Sequence, residues 1–104
     1  MANFKHMVFF WLKQPKDEVS RKSFETSLKK FLDSSEFIQT KHIGTPANTD
    51  RPVIDSSYTY CLMVDFLTKE DHDNYQIEPA HKLFIEESAF LWQKVIVYDS
   101  ESIL

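Results

Sequence analysis

Phe4-Lys5-His6-Met7-Val8-Phe9-Phe10-Trp11-Leu12 is the stretch that decides the fold. It is dense in aromatic and β-branched residues and ends short of Pro15, which reads as a strand. Side chains alternate across a strand, so Phe4, His6, Val8, Phe10 and Leu12 share one face. Lys5, Met7, Phe9 and Trp11 share the other. Both faces are largely apolar, and both are expected to be covered. A chain of 104 residues covers one face with its own helices. The other face calls for a second subunit, so a homodimer is expected.

The rest of the chain supplies those helices and the neighbouring strands. From Lys16 to Asp33, Phe24, Leu28, Phe31 and Leu32 recur at helical spacing, with Pro15 and Asp17 suited to the N-terminal end. Glu36 to Ile43 reads as a weaker strand carrying Phe37 and Ile38. Gly44 to Ser57 is a long polar connection, read as a hairpin excursion. Tyr58 to Phe66 is the clearest strand, with Tyr58, Tyr60, Leu62, Val64 and Phe66 alternating against Thr59, Cys61, Met63 and Asp65. Thr68 with Asp71 three residues on opens a short helix through Tyr75. Pro79 breaks that helix and starts another, to about Phe90. Val95 to Tyr98 is a last short strand, followed by a tail, Asp99 to Leu104, expected to be loosely held. The order strand, helix, strand, strand, helix, strand is the ferredoxin-like split βαβ arrangement, an α+β fold. Two antiparallel four-stranded sheets packed face to face would make a dimeric α/β barrel. Residues 1–104 are read as one domain, because this length holds one core.

Composition narrows the function. Aromatics at 14% and hydrophobics at 42% mark a folded chain. A net charge of −4 disfavours nucleic-acid binding and a polybasic membrane anchor. With one cysteine, Cys61, neither a disulfide framework nor a cysteine zinc site forms within the chain. With one glycine, Gly44, there is no glycine-rich phosphate loop. The start, MANFKHMVFFWLK, is too short in its apolar run for a targeting or spanning segment, so a cytoplasmic location is the default.

Four histidines carry the remaining options. His72, in Asp71-His72-Asp73, reads as part of a solvated capping turn, and His42 as a strand residue without assignment. His6 shares a face with Phe4, Val8 and Phe10. Its plain reading is a core histidine whose ring nitrogens meet backbone or a tyrosine hydroxyl. Its functional reading is a polar group at the end of an apolar pocket, the usual form of a small-molecule site. His81 falls in the first turn of the last helix, where the helix dipole disfavours the imidazolium. A neutral imidazole is a competent general base, although His81 also suits simple packing at a helix start. The proline break allows the Tyr75 hydroxyl to approach His81; otherwise Tyr75 is a packing aromatic. The pocket walls are expected from Phe4, Val8, Phe24, Leu28 and Phe84. Glu78-Pro79-Ala80-His81 has the Glu-x-x-His spacing of carboxylate metal sites, but a single copy outside a helical bundle supports no metal site. Cys61 lies mid-strand, where a thiol is usually inert.

Lys5-His6-Met7-Val8, Tyr58-Thr59-Tyr60, Tyr75 through His81, and Val95-Ile96-Val97-Tyr98-Asp99 together resemble the stress-responsive A/B barrel domain family, in the right order and over nearly the whole chain. The resemblance implies a dimeric α/β barrel. It also implies a site like that of a plant polyketide cyclase of the family, which performs an intramolecular aldol condensation. His81 would then be the base, Tyr75 would sit beside it, and His6 would orient the substrate or stabilise oxyanion charge. No cofactor is implied. At Glu78 this chain departs from that enzyme, which has a histidine there, so a carboxylate near the mouth is expected to alter charge preference. Three readings follow. One is a cofactor-independent cyclase or isomerase, a lyase-like enzyme, acting on a small apolar carbonyl or aromatic compound. The second is a non-catalytic, stress-related ligand-binding or protective dimer. The third is a monooxygenase-like or haem-degrading barrel.

Overall fold

A computed structural model describes residues 3–104. Met1 and Ala2, the head of the stretch read for a targeting segment, lie outside the described residues. The elements are β1 (Phe4–Leu12), α1 (Glu18–Ser34), β2 (Thr40–Gly44), β3 (Tyr60–Phe66), α2 (Lys69–Ile77), α3 (Pro79–Ser88), a 3-10 turn (Ala89–Leu91) and β4 (Trp92–Glu101). The strands form one antiparallel sheet in the order β2-β3-β1-β4. This is the expected ferredoxin-like α+β architecture, with the second helical segment split at Pro79.

Local chemistry accounts for the boundaries. Asp17 caps α1, its carboxylate accepting from the Ser20 amide at 3.0 Å. Thr68 caps α2, its hydroxyl accepting from the Asp71 amide at 3.1 Å. Pro79 occupies the first turn of α3, where its missing N–H has no intrahelical partner to lose. A register shift at Trp11/Leu12 ends the regular pairing of β1 with β4. No helix of the described residues is long and apolar enough to cross a membrane.

The core lies between the helices and the face of the sheet that carries Phe4, His6, Val8, Phe10 and Leu12. Phe24 and Leu28 of α1 and Phe84 of α3 close over it, with Phe24 stacked on Tyr60 at 4.7 Å. Full burial of such side chains contributes roughly 1.5–3 kcal/mol each, so this layer dominates the stability. On the opposite face, Met7 lies between Met63 and Tyr98, and Phe9 between Cys61 and Ile96. That face is apolar and only partly covered, Tyr98 being 58% exposed.

Two expectations need correcting. The weak strand begins at Thr40 rather than Glu36. Phe37 and Ile38 precede it and pack against the core from the connection, so their apolarity reflects burial and not strand pairing. The last strand is ten residues long and holds Asp99 to Glu101 in register with β1, through His6↔Asp99, Lys5↔Ser100 and Phe4↔Glu101. Its polar end defeats a hydrophobicity criterion, yet pairing with β1 needs only backbone groups.

Candidate active site

His6 stands mid-strand in β1, directly opposite Asp99 of β4, so both side chains leave the sheet on the helix-facing side. His6 is 4% exposed, and its Nδ1 meets Asp99 Oδ1 at 2.5 Å. A carboxylate only accepts, so Nδ1 carries the hydrogen and donates, leaving Nε2 of the neutral ring bare. Burial lowers the His6 pKa, with Asp99 pulling partly the other way.

His72 and Tyr75 come from α2, three residues apart and therefore on one helix face. Tyr75 is 1% exposed. Its ring sits 5.7 Å from His6 and 5.5 Å from His81, centroid to centroid, between the two imidazoles. Burial raises its phenol pKa strongly, which keeps the hydroxyl protonated. His81 is the third residue of α3, set edge-on to Phe31 at 5.4 Å. Its pKa is lowered, first by burial and then by the nearby His6. Burial therefore acts in the same direction as the helix dipole, toward the neutral imidazole.

These side chains line one cavity of about 260 Å³ between sheet and helices. Val8, Phe10, Phe84, Trp92 and Val97 give it apolar walls. Of the expected wall residues, Val8 and Phe84 face this cavity. Phe24 and Leu28 do not: Phe24 packs against Phe10 and Tyr60, and Leu28 faces a separate groove between α1 and β2. Phe4 stacks on His72 at 4.4 Å and holds that ring instead of lining the space. A larger groove of about 520 Å³ runs between α1 and β2. Its polar groups are already paired: Asp33 with Lys29 and Lys41, and Glu25 with the Tyr60 hydroxyl. The smaller cavity is therefore the better chemical site.

Glu78 does not face the cavity. Its carboxylate accepts from the Ser35 hydroxyl at 2.6 Å and the Glu36 amide at 3.2 Å, tying the α2–α3 junction to the end of α1. The carboxylate is thus held in a structural tie, and its charge still reaches the site, adding to the raised Tyr75 pKa and partly opposing the lowering at His81. Two site residues escaped the sequence reading. His72 is not a solvated capping residue: its side chain is 12% exposed, and its ring lies 4.9 Å from that of His6. Its spacing from Tyr75 was the available signal. Asp99, which reads as the start of the tail, continues the alternation of Val95 and Val97 toward the cavity.

A family model described as the stress responsive A/B barrel domain matches residues 4–102. The chain belongs to that family. Among solved structures, this A/B barrel protein is similar to a ferredoxin-like Dabb family protein from Mesorhizobium loti. The two share 20% identity at a TM-score of 0.81, each chain being covered fully. It is similar to a dimeric ferredoxin-like protein of unknown function from Thermobifida fusca, with 14% identity, a TM-score of 0.77 and coverage of 97% of this chain and 92% of that one. A hydroxynitrile lyase from Passiflora edulis matches at 16% identity and a TM-score of 0.77, over 97% of this chain and 94% of that one. No curated protein matches the sequence.

Proposed function

We propose that this A/B barrel protein is a homodimeric, cofactor-independent enzyme that performs acid–base chemistry on a small carbonyl compound. The observation that carries the reading is the convergence of His6, Tyr75 and His81 on one mostly apolar cavity. Neutral His81 takes a proton from carbon next to a carbonyl. The Tyr75 phenol, kept protonated by burial, donates to the enolate or alkoxide oxygen that develops. His6 donates through Nδ1 to Asp99, so its bare Nε2 accepts from a substrate hydroxyl. The oxyanion role expected of His6 thus passes to Tyr75, because a neutral His6 has no second hydrogen to give. The set is similar to that of olivetolic acid cyclase, a plant enzyme of the family that closes a linear polyketide by aldol condensation, at His6, Tyr75 and His81. A cavity of about 260 Å³ is below the ~300–1,000 Å³ usual for drug-sized ligands, which favours a short substrate.

The hydroxynitrile lyase among the structural relatives suggests benzaldehyde cyanohydrin, from which His81 would take the hydroxyl proton as the carbonyl forms and cyanide leaves, as a probe beside a linear triketide thioester. Turnover of either is expected to fall by about 100-fold or more in His81→Ala, the range for loss of a general base, with the far-ultraviolet spectrum unchanged. Unchanged turnover in that variant removes His81 from the reaction. Saturable binding of either probe with no turnover in the parent protein would instead make the chain a ligand-binding dimer.

A further inference from the structure

We propose that His6, His72 and Asp99 form a binding site for one divalent first-row transition ion of the zinc class. Three elements deliver the three groups: β1 carries His6, α2 carries His72 and β4 carries Asp99. One ligand atom from each lies within 4.8 Å of the others, a gap that side-chain rotation must close to the roughly 3.4 Å between neighbouring ligands of a tetrahedral ion with bonds of about 2.0–2.2 Å.

The hydrogen-bond inventory at His72 points to a cation. His72 Nδ1 lies 3.1 Å from Asp73 Oδ1, and a carboxylate cannot donate, so Nδ1 carries the ring hydrogen. In the neutral ring Nε2 is then a bare lone pair. That atom is buried and has no hydrogen-bond partner. It faces Asp99 Oδ2 at 3.8 Å, a second lone-pair bearer. Two acceptors turned toward each other, the His72 nitrogen buried and the Asp99 carboxylate part-exposed, repel unless something positive, a proton or a metal ion, lies between them. The Asp99 oxygen not facing them is occupied by His6 Nδ1 at 2.5 Å.

The surroundings resemble those of a metal ligand. A carboxylate on the far ring nitrogen orients the imidazole and raises its basicity, which is the part Asp73 plays for His72. Phe4 stacked at 4.4 Å fixes the plane of the ring. Asp99, 40% exposed on an edge strand, is free to rotate, opening its contact with His6 and closing the one with His72. Two imidazoles and a carboxylate select borderline ions such as zinc or cobalt over magnesium or calcium. All three residues line the cavity of His81 and Tyr75, so an open coordination position would face the same space. The site stands on the geometry of these three residues; an ion on His6 would occupy the one lone pair that the acid–base reading gives to a substrate hydroxyl, so that role of His6 belongs to the metal-free protein.

The test is titration of the full-length protein, stripped with a chelator, with cobalt(II) and then zinc(II). Cobalt is followed by its visible d–d absorption and zinc by calorimetry. One cobalt per protomer is expected, displaced by zinc, with Kd at least about tenfold weaker in His72→Gln and in Asp99→Asn. His42→Ala, remote on β2, should leave it unchanged. Absence of cobalt absorption, or binding that survives both site variants, overturns the proposal. So does a histidine nitrogen spectrum at neutral pH showing both His72 nitrogens protonated with no metal uptake, because a proton would then fill the gap. None of these outcomes bears on turnover by His81.

Discussion

At the scale of single residues, burial favours the neutral imidazole at His6 and His81, and this sets a pH signature. The pKa values of His6 and His81 are both lowered from 6.5 in the folded chain. Between each lowered value and the unfolded value of about 6.5, the unfolded chain binds more protons than the folded one. Stability therefore rises with pH across that window, is fully present above it, and is lost as pH falls below about 6.5. The urea midpoint is expected to drop between about pH 7.5 and about pH 5.5, and the drop should shrink in His81→Gln. An equal drop in that variant would show that His81 does not titrate on unfolding. His6, Tyr75 and His81 were legible because their residue types and their positions relative to Pro79 and the first strand carry chemistry. His72 and Asp99 were not. A histidine between two aspartates looks solvated until Phe4, from the far end of the chain, covers it. An aspartate after Tyr98 looks like a tail until its backbone pairs with β1.

At the scale of elements, α2 is the weak point of the site. It spans Lys69–Ile77, buries only Tyr75, and depends on the Thr68 cap. Short helices are marginal without tertiary support, so the cap matters more here than on longer α1. Thr68→Ala and Asp17→Ala should each cost about 1 kcal/mol of global stability, the usual value for a lost N-cap. Their local effects should differ. Amide hydrogen exchange in α2 is expected to accelerate in Thr68→Ala and to stay at the parent rate in Asp17→Ala. Equal exchange in the two variants would mean that α2 opens only with the whole chain. The contrast also explains which elements could be read in advance. Helix α1 announces itself through Phe24, Leu28, Phe31 and Leu32 on one face, and β3 through strict alternation. Strand β2, exposed along its length except at Gly44, has no such pattern, and its boundaries come from pairing with β3.

At the scale of the whole molecule, the two faces of the sheet have separate duties. The helix-facing side encloses the cavity. The other side presents Met7, Phe9, Trp11, Met63, Ile96 and Tyr98 with no helix over them. An apolar sheet face of this kind is covered by a partner in a soluble protein, and self-association through it needs no further element. Light scattering at low micromolar concentration is expected to give twice 12.3 kDa. Phe9 lies at the centre of that face, edge-on to Tyr58 at 5.1 Å and Tyr98 at 6.1 Å. Phe9→Asp places a charge where two sheets would meet, and the variant should elute as a monomer. Because the cavity lies on the other side of β1, the monomer should keep its histidine geometry. Turnover per protomer and cobalt uptake should then fall only in proportion to the unfolded fraction. A parent protein that scatters as a monomer would remove the face-to-face barrel. A monomeric Phe9→Asp variant that is folded yet loses both turnover and metal binding would show that the partner completes the site across the sheet.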